Sequence, residues 1–171
     1  SDLLKVSEDD FAKQFDFSSV LHREDGVNTH QQKSNPPFDD NSYEKEILQE
    51  AMSAIKQPTH PIKISKKITN VNRSFGALIS GEIAEYYGNK GLPTDTIRIN
   101  LEGVSGQALG AFLINGVSIY LKGVSNDYIC KGMHGGKVII TSQNEGEEFA
   151  AGGNTCLYGA TGGKLYISGS V

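Results

Sequence analysis

Cysteine, tryptophan and long apolar runs are scarce or missing in this chain of 171 residues. It has two cysteines and no tryptophan, so a disulfide-rich scaffold is excluded and the cytoplasm is the expected location, with an organelle left open. No stretch reaches the roughly 18–20 consecutive apolar residues that a membrane helix needs. The first ten residues, SDLLKVSEDD, hold no basic region followed by an apolar one, so they do not resemble a secretory signal.

An excess of positive charge is also absent. The chain has 16 basic and 20 acidic residues, which give a formal net charge of -4. There is no long run of either sign, so the composition does not predict a nucleic-acid-binding protein. The stretch Lys63–Arg73 holds four basic residues without interleaved aromatic side chains, and we interpret it as a solvated face. Neither nucleic acid nor a membrane is therefore expected as a partner.

Glycine is plentiful, but it is distributed unevenly along the chain. Of the 20 glycines, 19 follow position 75, whereas four of the five prolines precede it. This asymmetry predicts two unlike parts, a helical and loop-rich lead-in at 1–60 and a glycine-rich β domain at 61–171. Within the lead-in, the polar stretch 22–42 has no apolar periodicity and resembles an insertion.

Apolar spacing predicts a small set of helices and strands. Helical periodicity predicts helices over 43–57 and 77–87, and Asn41 with Glu44 resembles a capping box before the first of them. Gly81 would cost its helix about 1 kcal/mol relative to alanine, so either something packs closely there or the helix boundary is wrong. Short β-prone runs predict strands at 61–68, 96–101, 108–113, 117–121, 137–141 and 164–168.

The glycine-rich part contains an internal repeat. Residues 132–140 (GMHGGKVII) and 159–167 (GATGGKLYI) superpose at an offset of 27, and a looser copy at 116–120 precedes 136–140 by 20. One short strand per repeat cannot bury its own apolar side chains, so stacked repeats that share a core predict a β-solenoid. A sandwich or barrel is the alternative, since it also contains short strands at regular spacing.

The repeated glycines are interpreted as corners of this solenoid, because glycine adopts positive φ at the least cost. They are Gly132, Gly135, Gly136, Gly159, Gly162 and Gly163. The segment 76–81 has the spacing of a phosphate-binding loop, but Glu82 stands where that loop needs lysine. The sequence therefore predicts no catalytic residue, no cofactor-binding residue and no metal ligand.

Other chemically distinctive residues are also predicted to be structural. Cys130 and Cys156 lie 26 residues apart, nearly one repeat, and are interpreted as buried free thiols on neighbouring repeats. Asn126 and Asp127 have no histidine or second carboxylate at a pairing distance in sequence, so we expect the asparagine to bond the backbone of the next repeat. His134 lies within a glycine corner and should be exposed.

Several ordered motifs closely resemble the C-terminal GXGXG domain of the glutamate synthase large chain. They occupy 70–93 (NVNRSFGALISGEIAEYYGNKGLP), 102–140 and 153–169 (GNTCLYGATGGKLYISG), so the resemblance covers about 60–171. It implies a mainly β fold, a right-handed parallel β-helix (a single-stranded solenoid) after the helical lead-in. The family continues with further rungs beyond Val171, so we expect a longer parent chain.

The resemblance also implies a parent enzyme that makes two glutamates from glutamine and 2-oxoglutarate. In that family an N-terminal cysteine releases ammonia, and a flavin-bearing barrel with an iron–sulfur cluster takes electrons from NAD(P)H or ferredoxin. Those parts have no counterpart in this sequence, so FMN, the cluster and the donor are implied for the parent and not for this segment. The implied function is a non-catalytic structural domain that positions the catalytic domains. Its implied partners are those domains, with the parent's small subunit as a further candidate.

Two other functions stay open. The same β-helix module resembles a subunit of formylmethanofuran dehydrogenase, so a scaffold in another redox complex is one alternative. A stand-alone interaction module is the other, because uncapped solenoid rungs offer unpaired strand edges. A molybdenum or tungsten partner would favour the former, and dimerisation through the solenoid end would favour the latter.

Overall fold

The structure, a computed structural model, describes residues 9–22, 24–26, 33–34, 42–141 and 150–171. The chain divides into two compact units, Ser1–Phe38 and Asp39–Val171. The first unit contains a short 3-10 helix, Ala12–Gln14, and a single-turn helix α1, Ser18–Leu21. Most of the insertion-like stretch at 22–42 lies outside the described residues. No helix in the described ranges is both long and apolar enough to cross a bilayer.

Five parallel strands form one sheet in the second unit, in the order of the chain. They are β1 (Ile62–Ile68), β2 (Ile97–Ser105), β3 (Val117–Ser125), β4 (Lys137–Thr141) and β5 (Lys164–Ile167). Inward side chains of neighbouring strands pair in register and form aliphatic ladders, one of which joins Ile64, Ile99, Ile119, Val138 and Leu165. The alternation that predicted these strands is therefore the alternation between core and outer face.

Two longer helices pack into the same core as the strands. Helix α2 spans Ser42–Lys56 and α3 spans Ala77–Tyr87, which agrees with the predicted helices to within one residue. Helix α2 buries Ile47, Ala51, Ala54 and Ile55, and α3 buries Ile79 and Ile83. A 3-10 turn, Gly88–Lys90, follows α3 directly.

The fold class agrees with the prediction only in part. The described residues combine a parallel sheet with helices that hold a comparable number of residues, so the chain is α/β and not mainly β. The predicted parallel pairing of short strands is confirmed. The expected fold class confined helix to a lead-in, whereas α2 and α3 bury apolar residues in the same core as the strands.

The predicted strand at 108–113 is wrong. Ala108, Gly110 and Phe112 have φ values of 62°, 71° and 54°, which lie outside the β region, so this segment cannot continue as a strand. Its apolar residues are nevertheless inward, since Leu109 and Leu113 are buried in the core. The alternation of apolar residues that suggested a strand is produced here by a different backbone conformation.

Glu44 is a buried carboxylate of α2 that caps the beginning of α3. It is 1% exposed, and its Oε1 accepts hydrogen bonds from the backbone N–H groups of Gly76 (2.9 Å), Leu78 (3.0 Å) and Ile79 (3.3 Å). The first N–H groups of a helix have no partner within the helix, and they form the positive end of its dipole. One carboxylate therefore satisfies three donors and ties α2 to α3. The predicted capping box pairs Glu44 with Asn41, which lies outside the described residues.

Two glycines on neighbouring strands lie in close contact, whereas a glycine inside α3 has open space around it. Gly103 and Gly123 are register partners, and a Cβ on Gly123 would overlap the carbonyl oxygen of Gly103. Gly81 is exposed in the middle of α3, and a Cβ there would meet no described atom within 4 Å apart from the neighbouring backbone of its own helix. Neither a close contact nor a misplaced boundary therefore explains Gly81, since α3 also begins and ends where it was predicted.

Replacing these glycines is expected to change stability in opposite directions. Gly123→Ala forces a Cβ against a backbone oxygen at a φ of 150°, so it should lower the free energy of unfolding by at least about 2 kcal/mol. The matched control Gly81→Ala should raise it by up to about 1 kcal/mol, because alanine is the better helix former. Urea denaturation followed by circular dichroism measures both. Equal stability of Gly123→Ala and the wild type would contradict the close stacking of β2 and β3.

Substitutions at Glu44 should distinguish the stability that its charge contributes from the stability that its hydrogen-bond-accepting oxygen contributes. Glu44→Ala leaves two buried N–H groups and one partly buried N–H group without their acceptor and should cost at least about 3 kcal/mol. Glu44→Gln keeps an oxygen but loses the charge at the helix terminus, so it should cost about 1–2 kcal/mol. The exposed Glu46 on the same helix is the control, and Glu46→Ala should change stability by less than about 0.5 kcal/mol. If the Glu44 and Glu46 alanine variants unfold at the same denaturant concentration, the cap contributes nothing.

Candidate functional site

The most distinctive backbone of the chain lies in three stacked corners, which we define as residues 108–112, 128–132 and 155–159. In each corner the first, third and fifth residues have positive φ, between 54° and 71°. The first corner precedes the second by 20 residues and the second precedes the third by 27, which are the two offsets of the predicted repeat. The nine left-handed residues are Ala108, Gly110, Phe112, Tyr128, Cys130, Gly132, Thr155, Leu157 and Gly159.

Backbone hydrogen bonds join each corner to its neighbours. In the second corner, the N–H of Tyr128 donates to the carbonyl of Asn154 (2.9 Å), which belongs to the following repeat. Two residues later, the N–H of Cys130 donates to the carbonyl of Leu109 (2.8 Å) in the preceding repeat. The alternating backbone thus directs successive donors up and down the stack. These groups bond the protein itself, so they do not form an open cradle for an anion.

Six of the nine left-handed residues are not glycine. This conformation brings Cβ close to the following carbonyl and costs about 1–2 kcal/mol per residue. Thr155, with a φ of 61°, is the most constrained of them because its Cβ is branched. Sequence reasoning missed these six residues, since nothing in their side chains suggests left-handed backbone. The repeat offsets could have found three of them from aligned glycines, namely Phe112 from Gly132, and Cys130 and Leu157 from Gly110.

The predicted corner glycines occupy three kinds of position. Gly132 and Gly159 end the second and third corners, with φ of 64° and 67°. Gly136 and Gly163 directly precede β4 and β5, with φ of 75° and 91°. Gly135 and Gly162 lie where backbones approach closely: a Cβ on Gly135 would come within 2.6 Å of the Asn115 nitrogen, and one on Gly162 would overlap the carbonyl of His134.

The two thiols lie in neighbouring corners and are free, as predicted. Cys130 is fully buried and Cys156 is partly buried. Burial raises the pKa of the Cys130 thiol to about 12, with a smaller contribution from nearby Cys156. Burial also raises the pKa of Cys156, helped by the charge of Asp127. Both sulfurs are therefore protonated at neutral pH, whereas nucleophilic or metal-binding cysteines act as thiolates.

The bond between neighbouring repeats that was predicted for Asn126 is made by Asp127 instead. The Asp127 carboxylate oxygen Oδ1 accepts a hydrogen bond from the backbone N–H of Asn154 at 2.9 Å. A carboxylate oxygen accepts the N–H without the choice of orientation that an amide requires. His134 is exposed, as expected, and its Nδ1 lies 3.2 Å from Thr161 Oγ1 of the following repeat.

The residues present do not fit the cofactors that the resemblance implies for the parent. An iron–sulfur cluster usually needs four thiolates, and the sequence has two cysteines. The described ranges contain no group of three histidine, cysteine, aspartate or glutamate side chains that could hold a metal. The N-terminus of α3, which begins in the phosphate-loop-like segment 76–81, already bonds the carboxylate of Glu44, and a phosphate would have to displace it.

Comparison with known proteins gives consistent matches. The family described as the GXGXG motif matches residues 40–171. The NADPH glutamate synthase large chain of Bacillus subtilis is 40% identical over 163 residues, covering 92% of this chain and 11% of that protein. The NADH glutamate synthase of Schizosaccharomyces pombe is 47% identical over 113 residues, covering 64% of this chain and 5% of its own length.

A third relative is named for ferredoxin. Ferredoxin-dependent glutamate synthase 2 of Synechocystis is 39% identical over 140 residues, which is 78% of this chain and 8% of that protein. The chain thus spans between 5% and 11% of the length of these curated relatives. The predicted resemblance is confirmed, and because the family match extends over well more than half of the residues, the chain belongs to the GXGXG motif family.

Proposed function

We propose that this chain is the non-catalytic structural domain of a glutamate synthase, an enzyme that makes two glutamates from glutamine, 2-oxoglutarate and reductant in nitrogen assimilation. One observation carries the proposal. Relatives named for NADPH, NADH and ferredoxin share this segment at 40%, 47% and 39% identity. A segment common to enzymes with different electron donors is expected to have a role other than accepting electrons from the donor.

The chemistry of the corners supports a structural role. Their backbone donors are used between repeats, and the pKa of each cysteine thiol is raised above its usual value. A catalytic nucleophile or base needs the opposite, a free group with a pKa near the working pH. FMN, the iron–sulfur cluster and the donor site then belong to other parts of the parent, which works in the cytoplasm.

We infer that the sheet and the corners close into a right-handed parallel β-helix over 61–171, with 1–60 as the lead-in. The connections 106–116 and 126–136 contain no helix, although parallel strands are usually joined through one. Each connection hydrogen-bonds the next, and corner residues Leu109 and Ile129 share one core with strand residues such as Ile99. The right-handed sense follows the general rule for crossovers between parallel strands. The predicted glycines then mark where the coil turns.

A stack of this kind serves as a rigid spacer between domains. Each repeat contacts only its neighbours, so the length and direction of the stack are set by pairing geometry. Helix α2 is joined to the stack through Glu44 and its buried face, so a chain segment that enters through α2 is held in a fixed position. The proposed partners are the other domains of the parent chain and its small subunit.

Loosening one bond between repeats should weaken the stack measurably. Asp127→Ala removes the acceptor of the Asn154 N–H, so we expect the free energy of unfolding to fall by about 1–2 kcal/mol. The neighbouring exposed residue is the matched control, and Asn126→Ala should change stability by less than about 0.5 kcal/mol. Chemical denaturation of the chain gives both values. If Asn126→Ala lost more stability than Asp127→Ala, the assignment of the inter-repeat hydrogen bond to Asp127 would be wrong.

The same pair of variants tests the function in the full-length parent enzyme. If the domain positions the catalytic domains, the Asp127→Ala enzyme should hydrolyse glutamine to glutamate and ammonia without a matching conversion of 2-oxoglutarate to the second glutamate, while flavin content stays at the wild-type level. Asn126→Ala should keep the two reactions coupled. Measuring glutamine consumed against 2-oxoglutarate consumed gives the ratio. Loss of flavin with coupling preserved, or flavin bound by the 171-residue chain alone, would overturn the structural proposal.

A further inference from the structure

The outer face of the sheet is rich in cations, although the chain as a whole is acidic. The outer face consists of the strand side chains that point away from the core, at alternate positions of β1–β5. Glu102 is the one acidic residue among these positions on the strands, whereas the formal charge of the chain is -4. The cations are Lys63, Lys67, Arg98, Lys122, Lys137 and Lys164.

Four of these cations lie in one register row that crosses all five strands. The row, which we name the basic row, is Lys63–Arg98–Ser118–Lys137–Lys164. Neighbouring strands are about 4.8 Å apart, so the row extends over roughly 19 Å. Like charges that face each other on adjacent strands are destabilising. The row therefore costs stability, and a purely structural sheet face would gain nothing from it.

One carboxylate compensates the middle of the basic row. Asp95 precedes β2, accepts a hydrogen bond from Ser118 Oγ and pairs with Lys137 Nζ at 3.1 Å. Those two bonds hold the pKa of Asp95 below its usual value. At the ends of the row, Lys63 and Lys164 form no ion pair with any described residue.

The cations at the centre are held in place by an aromatic ring. The guanidinium carbon of Arg98 lies 3.9 Å from the ring centroid of Tyr120, and Lys137 Nζ lies 5.5 Å from the same centroid. Such cation–π contacts fix long side chains that would otherwise lose entropy when a ligand binds. The basic row is in this sense pre-organised for an anion.

A cavity opens beside the row. Its volume is about 230 Å³, and it is lined by Lys137, Lys164, Ser118, Asp95 and the backbone of Gly136 and Gly163, among others. Lys137, Lys164 and Ser118 share this concave surface with Asp95, and Lys164 has no ion-pair partner among the described residues. This is the chemistry that receives a carboxylate side chain.

We propose that the basic row is a docking site for an acidic segment of a polypeptide, whose aspartate or glutamate side chains pair with Arg98, Lys137 and Lys164. Charge complementarity favours an anionic partner, and the length of the row requires several carboxylates in sequence. Nucleic acid fits less well, because Arg98 covers the Tyr120 ring that would stack on a base. The negative charge of the rest of the chain would also repel a long polyanion. The site lies on the outer face, so it does not depend on the proposed structural function.

Fluorescence anisotropy with a short labelled polyglutamate peptide tests this docking site on the 171-residue chain. We expect binding at low ionic strength that weakens as salt is added. The double variant Lys137→Gln/Lys164→Gln should raise the dissociation constant about tenfold or more. Lys137→Arg/Lys164→Arg keeps both charges and should retain binding to within about threefold.

The matched control removes two charges elsewhere. Lys56 and Lys131 are exposed and lie off the sheet face, so Lys56→Gln/Lys131→Gln has the same net charge as the test variant and should change affinity by less than about twofold. Circular dichroism confirms that each variant is folded. Equal weakening by both glutamine pairs, no binding by the wild type at low ionic strength, or tighter binding of single-stranded RNA of equal charge would each overturn the proposal.

Discussion

The in-register pairing of successive repeats is the constraint on which the rest of the structure depends. It aligns the aliphatic ladder from Ile64 to Leu165 inside the sheet and the basic row on its outer face. It also holds the corners, because left-handed residues such as Tyr128 and Cys130 exchange hydrogen bonds with the repeats on either side. A conformation that would be costly in isolation is therefore maintained by its neighbours.

Charge is used differently in the core and on the surface of the second unit. Glu44 is buried and its Oε1 accepts three backbone N–H groups, so this charge has a structural use. On the outer face, Asp95 compensates Lys137, while Lys164 has no ion-pair partner within the described ranges. Each site thus contains a carboxylate of the protein, but the second also has Lys164, a cation beyond the pair that Asp95 forms with Lys137.

Local patterns allowed the helices and most strands to be predicted, and non-local contacts explain the failures. Helices α2 and α3 agree to within one residue because apolar spacing is a property of the segment itself. The corner at 108–112 was predicted as a strand because its φ values depend on pairing with repeats that are distant in sequence. The role of Glu44 could not be found either, since its partner Gly76 lies 32 residues away. The sequence repeat pointed to glycines in the corners, whereas the side chains of the six other left-handed residues carry no local signal for this conformation.

The change in repeat length has a consequence for how this fold can vary. Lys122 pairs with Thr141, 19 residues on, whereas Tyr128 and Thr155, the first residues of successive corners, are 27 apart. The offset between successive repeats therefore grows by eight residues between Thr141 and Thr155, where the corner pairing is again in place. Lengthening a connection costs little free energy, because the closure entropy grows only with the logarithm of its length. New sequence can thus be accommodated at this junction while the register of every other repeat is preserved, which makes it a natural position for divergence within an otherwise fixed architecture.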